Sequence, residues 1–256
     1  MSEGYRKKNK PSNLFLVEGP AVLQEYLRLA PDAVHSVVCR TDFVSKLEGA
    51  LKEKVEQSGV DVATWMKRHG TIPSRAPIWG YVRILAKDET HLYSCLEEEP
   101  ARVVLALDHI QDPRNLGAIA RTAAFFGVKH IVVPKQRQVL LTDVSVGVAQ
   151  GAFCYSHLYV VTNLNRTLQQ LKSMNYWVVG ADMGGRSYRE RVLSYEQMVL
   201  VMGSEGQGLA QLTRKTCDLQ VSIPSSVSTV QSLNVSVAAG ILLSATTDSG
   251  HSSIEL

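Results

Sequence analysis

Residues 102–134 read "RVVLALDHIQDPRNLGAIARTAAFFGVKHIVVP", and this stretch decides the fold. "RVVLALD" (102–108) is an unbroken apolar run of the kind found in a strand buried on both faces. "GAIARTAAFFG" (117–127) is helical and ends on glycine, and "HIVVP" (130–134) is the next strand. The alternation continues downstream. "NLNRTLQQLKSMN" (163–175) reads as a helix, and "YWVVGAD" (176–182), "VLVMGSE" (199–205) and "LQVSIP" (219–224) read as strands. "SLNVSVAAGILLSATT" (232–247) closes the pattern as a helix rich in small residues. Strands alternating with helices predict an α/β fold with a parallel sheet and helices on its faces.

Upstream of this region the sequence predicts a second, smaller α/β unit. "PAVLQEYLRLA" (20–30) has helical apolar spacing, and "HSVVC" (35–39) reads as a strand. "DFVSKLEGALKEKVEQSG" (42–59) reads as one helix from a capping Asp42 to Gly59, and "VDVATW" (60–65) and "IWGYVRILA" (78–86) as strands. The expected organisation is a basic tail over 1–12, a small α/β domain over 13–86, a charged connection over 87–101 closed by Pro100, and the large domain over 102–256.

Composition sets wider bounds. With 256 residues, 45% of them hydrophobic, the chain can bury a sizeable core without disulfides or metals. A net charge of +3 permits nucleic-acid binding without announcing it, and the tail residues Arg6, Lys7, Lys8 and Lys10 add a small basic cluster. Cys39, Cys95, Cys154 and Cys217 are far apart in sequence, which implies neither a zinc knuckle nor a redox pair. No apolar stretch resembles a signal peptide or a membrane span, so the expectation is a cytoplasmic protein that binds no membrane.

In open α/β sheets, ligands bind beyond the carboxyl ends of the strands. Three segments lie at such ends: "DHIQDPRNLGAIAR" (108–121), "GSEGQGL" (203–209) and "IPSSVSTVQSLN" (223–234). Glycines at 203, 206 and 208 resemble a phosphate loop, but the spacing fits no nucleotide motif, no lysine follows, and Glu205 would repel a phosphate. A cationic ligand without phosphate suits the loop better. S-adenosylmethionine, with its sulfonium and amino group, is such a ligand. Taken singly, each residue has a plain structural reading: Arg121 as a solvated charge, Asn115 and Ser232 as helix caps, Glu205 as the cap of a turn.

Three segments together, "DPRNLGAIARTAAFFGV" (112–128), "VLVMGSEGQGL" (199–209) and "SIPSSVSTVQSLNVSVAAGILL" (222–243), resemble the three motifs of the SPOUT superfamily, in its SpoU/TrmH branch of RNA ribose 2′-O-methyltransferases. "VEGPAVLQEYL" (17–27) resembles the start of the ribosomal-protein-like substrate domain of many members. The resemblance implies a C-terminal domain with a deep trefoil knot, a homodimer formed through that domain, S-adenosylmethionine as cofactor, no metal, and RNA as partner. It implies cofactor contacts at Gly203, Ile223, Val230, Ser232 and Leu233, and catalytic roles for Asn115, Arg121, Glu205, Ser232 and Asn234. The 225–231 loop departs from the family pattern: it is about one residue longer and lacks the usual glycine, which bears on the contact at Val230. A guanosine of large-subunit rRNA is the expected target. The alternatives are a tRNA ribose, or a non-catalytic RNA-binding protein that keeps the fold.

Overall fold

The computed structural model describes residues 13–136, 138–190, 195–227 and 232–247. The expected tail over 1–12 and Val230 lie outside these residues. The first part of the chain contains β1 (Leu14–Glu18), α1 (Pro20–Leu29), β2 (Val34–Cys39), α2 (Gly49–Ser58), β3 (Val60–Asp61), α3 (Val62–His69) and β4 (Ile78–Arg83). Its four strands form a sheet in the order β1-β4-β2-β3, antiparallel except for the β2–β3 pair.

Two expectations fail here for physical reasons. The helix expected over 42–59 is broken: 3₁₀ turns run from Thr41 to Lys46, Leu47 and Glu48 are extended, and α2 starts at Gly49. Leu47 is only 4% exposed, so the break turns an apolar side chain into the core. Asp42 does not cap a helix but pairs with Arg40. The strand expected over 60–65 ends after Asp61, whose carboxylate accepts the N–H groups of Ala63 and Thr64 at 3.0 and 3.3 Å and so starts α3.

The second part contains α4 (Glu89–Glu98), β5 (Val103–Leu107), α5 (Pro113–Phe125), β6 (His130–Pro134), α6 (Asp143–Ala149), β7 (His157–Val161), α7 (Leu164–Ser173), β8 (Trp177–Ser187), β9 (Met198–Met202), α8 (Gln211–Thr216), β10 (Leu219–Ser222) and α9 (Val235–Thr247). Its six strands are ordered β10-β8-β9-β5-β6-β7, and every pair is parallel. Alternate residues serve opposite faces. Val103, Leu105 and Leu107 join a core with α5, α6 and α9, whereas Val104 and Ala106 join one with α4 and α7. The charged stretch expected as a connection therefore contains a packed helix: Leu92 and Leu96 of α4 are buried against the sheet.

Sheet order fixes the position of a site. The chain leaves β5 for β6 and β7 on one side, then returns to build β8, β9 and β10 on the other. β5 and β9 are neighbours where the direction reverses, and a crevice opens beyond their carboxyl ends.

Candidate active site

The crevice is a cleft of about 700 Å³. Residues after β5 (His109 to Asp112, and Asn115) form one wall, and residues after β9 (Ser204 to Gln211) form the other. The first wall is built by a helix start. Asp112 accepts the Arg114 N–H at 2.8 Å and Pro113 occupies the first turn, so α5 begins at once and Asn115 points inward, 8% exposed. Asn115 is thus not the cap; Asp112 is.

The second wall folds back on itself. Ser204 and Gly208 exchange backbone hydrogen bonds of 3.0 and 2.9 Å, with Gly208 at φ +66°. A Cβ on Gly203 would lie 2.2 Å from the Gly208 carbonyl carbon. Glycine at 203 is therefore required by the loop's own return, whereas Gly206 faces open space. Asp108 ties the two walls together. Its buried carboxylate accepts the Ala210 N–H at 2.8 Å, and its own N–H donates to the Met202 carbonyl at 2.8 Å.

Asn234, just before α9, completes the cluster. Its Nδ2 donates to Asn115 Oδ1 at 3.1 Å and to the Glu205 carboxylate, while its Oδ1 accepts the Ser236 N–H at 2.9 Å. A carboxylate only accepts and a backbone N–H only donates, so these partners fix the orientation of the amide. Segments that are more than a hundred residues apart in sequence meet through these side chains.

The other expected site residues are placed less closely. Gly203 is buried at the end of β9, and Ile223 follows β10, packed against the core. Ser232 and Leu233 are exposed beside Asn234, Leu233 at 43%. Arg121 is exposed on α5 and does not line the cleft. Six residues along a helix rotate a side chain roughly 240° from Asn115, onto a different face. Sequence reasoning missed Asp108 and His109; a carboxylate beside an imidazole at the end of a buried strand was the available signal.

The chemistry of the walls fits a cationic ligand. Asp112 and Glu205 line the cleft and no lysine or arginine does. No group of three or more His, Cys, Asp or Glu among the described residues could hold a metal ion. Nor is any helix among them long and apolar enough to cross a membrane.

A parallel sheet with helices on both faces, and a polar cleft where its strand order reverses, defines an open α/β ligand-binding fold. The SpoU rRNA methylase family model matches residues 102–244, and the chain belongs to that family. A Mycolicibacterium gilvum protein described as an uncharacterized tRNA/rRNA methyltransferase is 33% identical over 94% of this chain and 78% of its own length. A 23S rRNA (guanosine-2′-O-)-methyltransferase of Neisseria meningitidis serogroup B is 44% identical over 63% of this chain and 64% of the relative, just under two thirds. Among solved structures, a TrmH-family RNA methyltransferase from Porphyromonas gingivalis superposes with a TM-score of 0.73, covering 93% of this chain and 91% of that one at 26% identity.

Proposed function

We propose that this chain transfers a methyl group from S-adenosylmethionine to a ribose 2′-hydroxyl of RNA, and that its target is a guanosine of large-subunit rRNA. The observation that carries this reading is the joining of Asn115, Glu205 and Asn234 in a cleft lined by acids and by no lysine or arginine. The Neisseria relative, named as a 23S rRNA (guanosine-2′-O-)-methyltransferase, supports the choice of nucleotide. The cofactor would supply a sulfonium-activated methyl and leave neutral, so the reaction calls for no metal. On the family pattern, Gly203, Ile223, Ser232 and Leu233 would contact it.

The residues divide the remaining work. Asn115 and Asn234 position the ribose, Glu205 orients them through the amide, and Ser232 binds substrate or cofactor. Arg121, whose planar fork matches a phosphate, grips the RNA backbone and offsets negative charge on the 2′-oxygen. Its exposure away from the cluster suits a site completed by a second copy in a homodimer. Phe125 of α5, 83% exposed, and Val237 of α9, 50% exposed, are apolar residues that such an interface would cover.

The knot belongs to the same reading. It is supported by β10 lying at one edge of the sheet while α9 packs on α5, on the other side of β8 and β9. Residues 13–86 would serve as the RNA reader, with exposed Lys67, Arg68 and Arg75 contributing phosphate contacts. The test is calorimetric titration with S-adenosylmethionine in the presence of EDTA, followed by methyl transfer to an unmodified large-subunit rRNA transcript. Metal-free binding and ribose-methylated guanosine are expected. A requirement for a divalent ion, or methyl on a base, would overturn the reading.

A further inference from the structure

Asp108 and His109 form a dyad at the mouth of the cleft, and none of the roles above uses the imidazole. We propose that His109 is a catalytic residue: it accepts the hydrogen bond of the target 2′-hydroxyl and takes its proton. The proposal rests on the ribose-methylation reading.

Backbone strain first marks the residue. His109 has φ +66°, in the left-handed region that favours glycine. The two other non-glycine residues with positive φ among those described, Gln150 and Asn175, follow the ends of helices, where such a conformation is common. His109 instead follows a strand and lines the cleft. Strain kept at a site is a mark of use.

Its protonation pattern is set by its neighbour. Nδ1 lies 2.6 Å from Asp108 Oδ1. A carboxylate can only accept, so Nδ1 carries the hydrogen and Nε2 remains as an acceptor. The Asp108 side chain is 1% exposed, and its second oxygen is held by the Ala210 N–H, so the carboxylate is fixed where it would stabilise an imidazolium. The His109 side chain keeps 31% exposure and so remains open to a ligand.

The other acids of the cleft also have fixed partners, although a carboxylate keeps further acceptor sites. Asp112 binds the Arg114 N–H at 2.8 Å and its guanidinium at 3.3 Å. Glu205 accepts from Asn234. Arg121 lies outside the cleft lining, and a guanidinium does not act as a base near neutral pH. In the proposed step the 2′-oxygen bonds to the methyl carbon as the carbon–sulfur bond breaks, and that bond's electron pair stays on sulfur. The hydroxyl proton passes to Nε2, and the imidazolium is balanced by Asp108.

The test uses His109→Gly and His109→Asn in the full chain, since both residues tolerate the backbone angle. Relief of the backbone angle offsets part of the cost of taking a donor from the buried Asp108, so the melting temperature should fall by no more than about 5–10 °C, with S-adenosylmethionine affinity within about twofold. Single-turnover methyl transfer to the rRNA transcript should fall by about 100-fold or more, and free imidazole should restore about tenfold in the glycine variant. Turnover within about threefold of wild type in either variant, or a loss that imidazole does not restore, would overturn the role of His109 while leaving the ribose reading intact. If the wild type itself places no methyl on ribose, both fall.

Discussion

Asn234 shows how one side chain can hold a site together. One end of its amide donates to Asn115 and Glu205, and the other accepts from the start of α9. Asn234→Asp is nearly isosteric and keeps the acceptor for Ser236. It removes both donors and sets a second carboxylate against Glu205. Loss of the bonds and like-charge repulsion act together, so this variant should be more damaging than Asn234→Ala. Activity is expected to fall by about 100-fold or more, with stability lowered by about 1–3 kcal/mol. Turnover assays beside urea unfolding of both variants check the order. For Arg121 the expectation is that lysine is nearly as damaging as alanine, because the charge remains but the planar fork is lost. Near-normal turnover by Arg121→Lys would remove the phosphate-gripping role.

At the scale of elements, β6 makes a claim about pH. His130 opens this strand, buried, with Nδ1 3.0 Å from the Tyr159 hydroxyl. Burial, and then the neighbouring His157, pull its pKa from 6.5 down to about 4. The folded-state value is depressed, so both states are neutral above pH 6.5 and the full stability is present there. Between pH 6.5 and about 4 the unfolded chain takes up a proton that the folded chain refuses, and stability falls as pH falls. The loss should reach at most about 3 kcal/mol. Urea unfolding at pH 7 and pH 5 should show it, and His130→Asn should flatten the dependence.

The same scale shows what was legible in the sequence. β5, β6 and β9 are continuous or nearly continuous apolar runs, and strands buried on both faces have to be. The errors around 42–65 came from tertiary and local chemistry. Leu47 needed burial, and the Asp61 side chain had N–H groups to satisfy; neither is a matter of periodicity. α6, α8 and β7 went unseen because short elements carry little pattern. At the site, family motifs pointed to Asn115, Glu205 and Asn234, which the fold does bring together. The same motifs say nothing of where Arg121 faces. That depends on helical rotation and on what lies across the exposed face of α5.

The whole molecule is more tightly joined than a reader domain on a charged connection would suggest. Phe15 and Val17 of β1 and Val22 of α1 share one apolar cluster with Val146 and Ala149 of α6 and with Phe153. The Leu16 N–H donates to Asp143 Oδ1 at 2.8 Å, which pins β1 to the start of α6. A fragment of residues 100–256 would expose that face. With about 1.5–3 kcal/mol lost for each large apolar side chain laid bare, it should melt more than about 10 °C below the full chain. Calorimetry on both checks this, and an unchanged melting temperature would show that the two parts are energetically independent. For the same reason, RNA reading by residues 13–86 is better tested with charge reversals at Lys67 and Arg68 than by truncation.

The measurement that bears most directly on the central claim is mass-spectrometric mapping of 2′-O-methyl groups in the large-subunit rRNA and the tRNA of cells with and without the gene. The account predicts that one ribose methylation disappears, on a guanosine of large-subunit rRNA, and returns when the wild-type gene is restored but not with Asn234→Asp. An unchanged ribose-methylation map in both RNAs would contradict it.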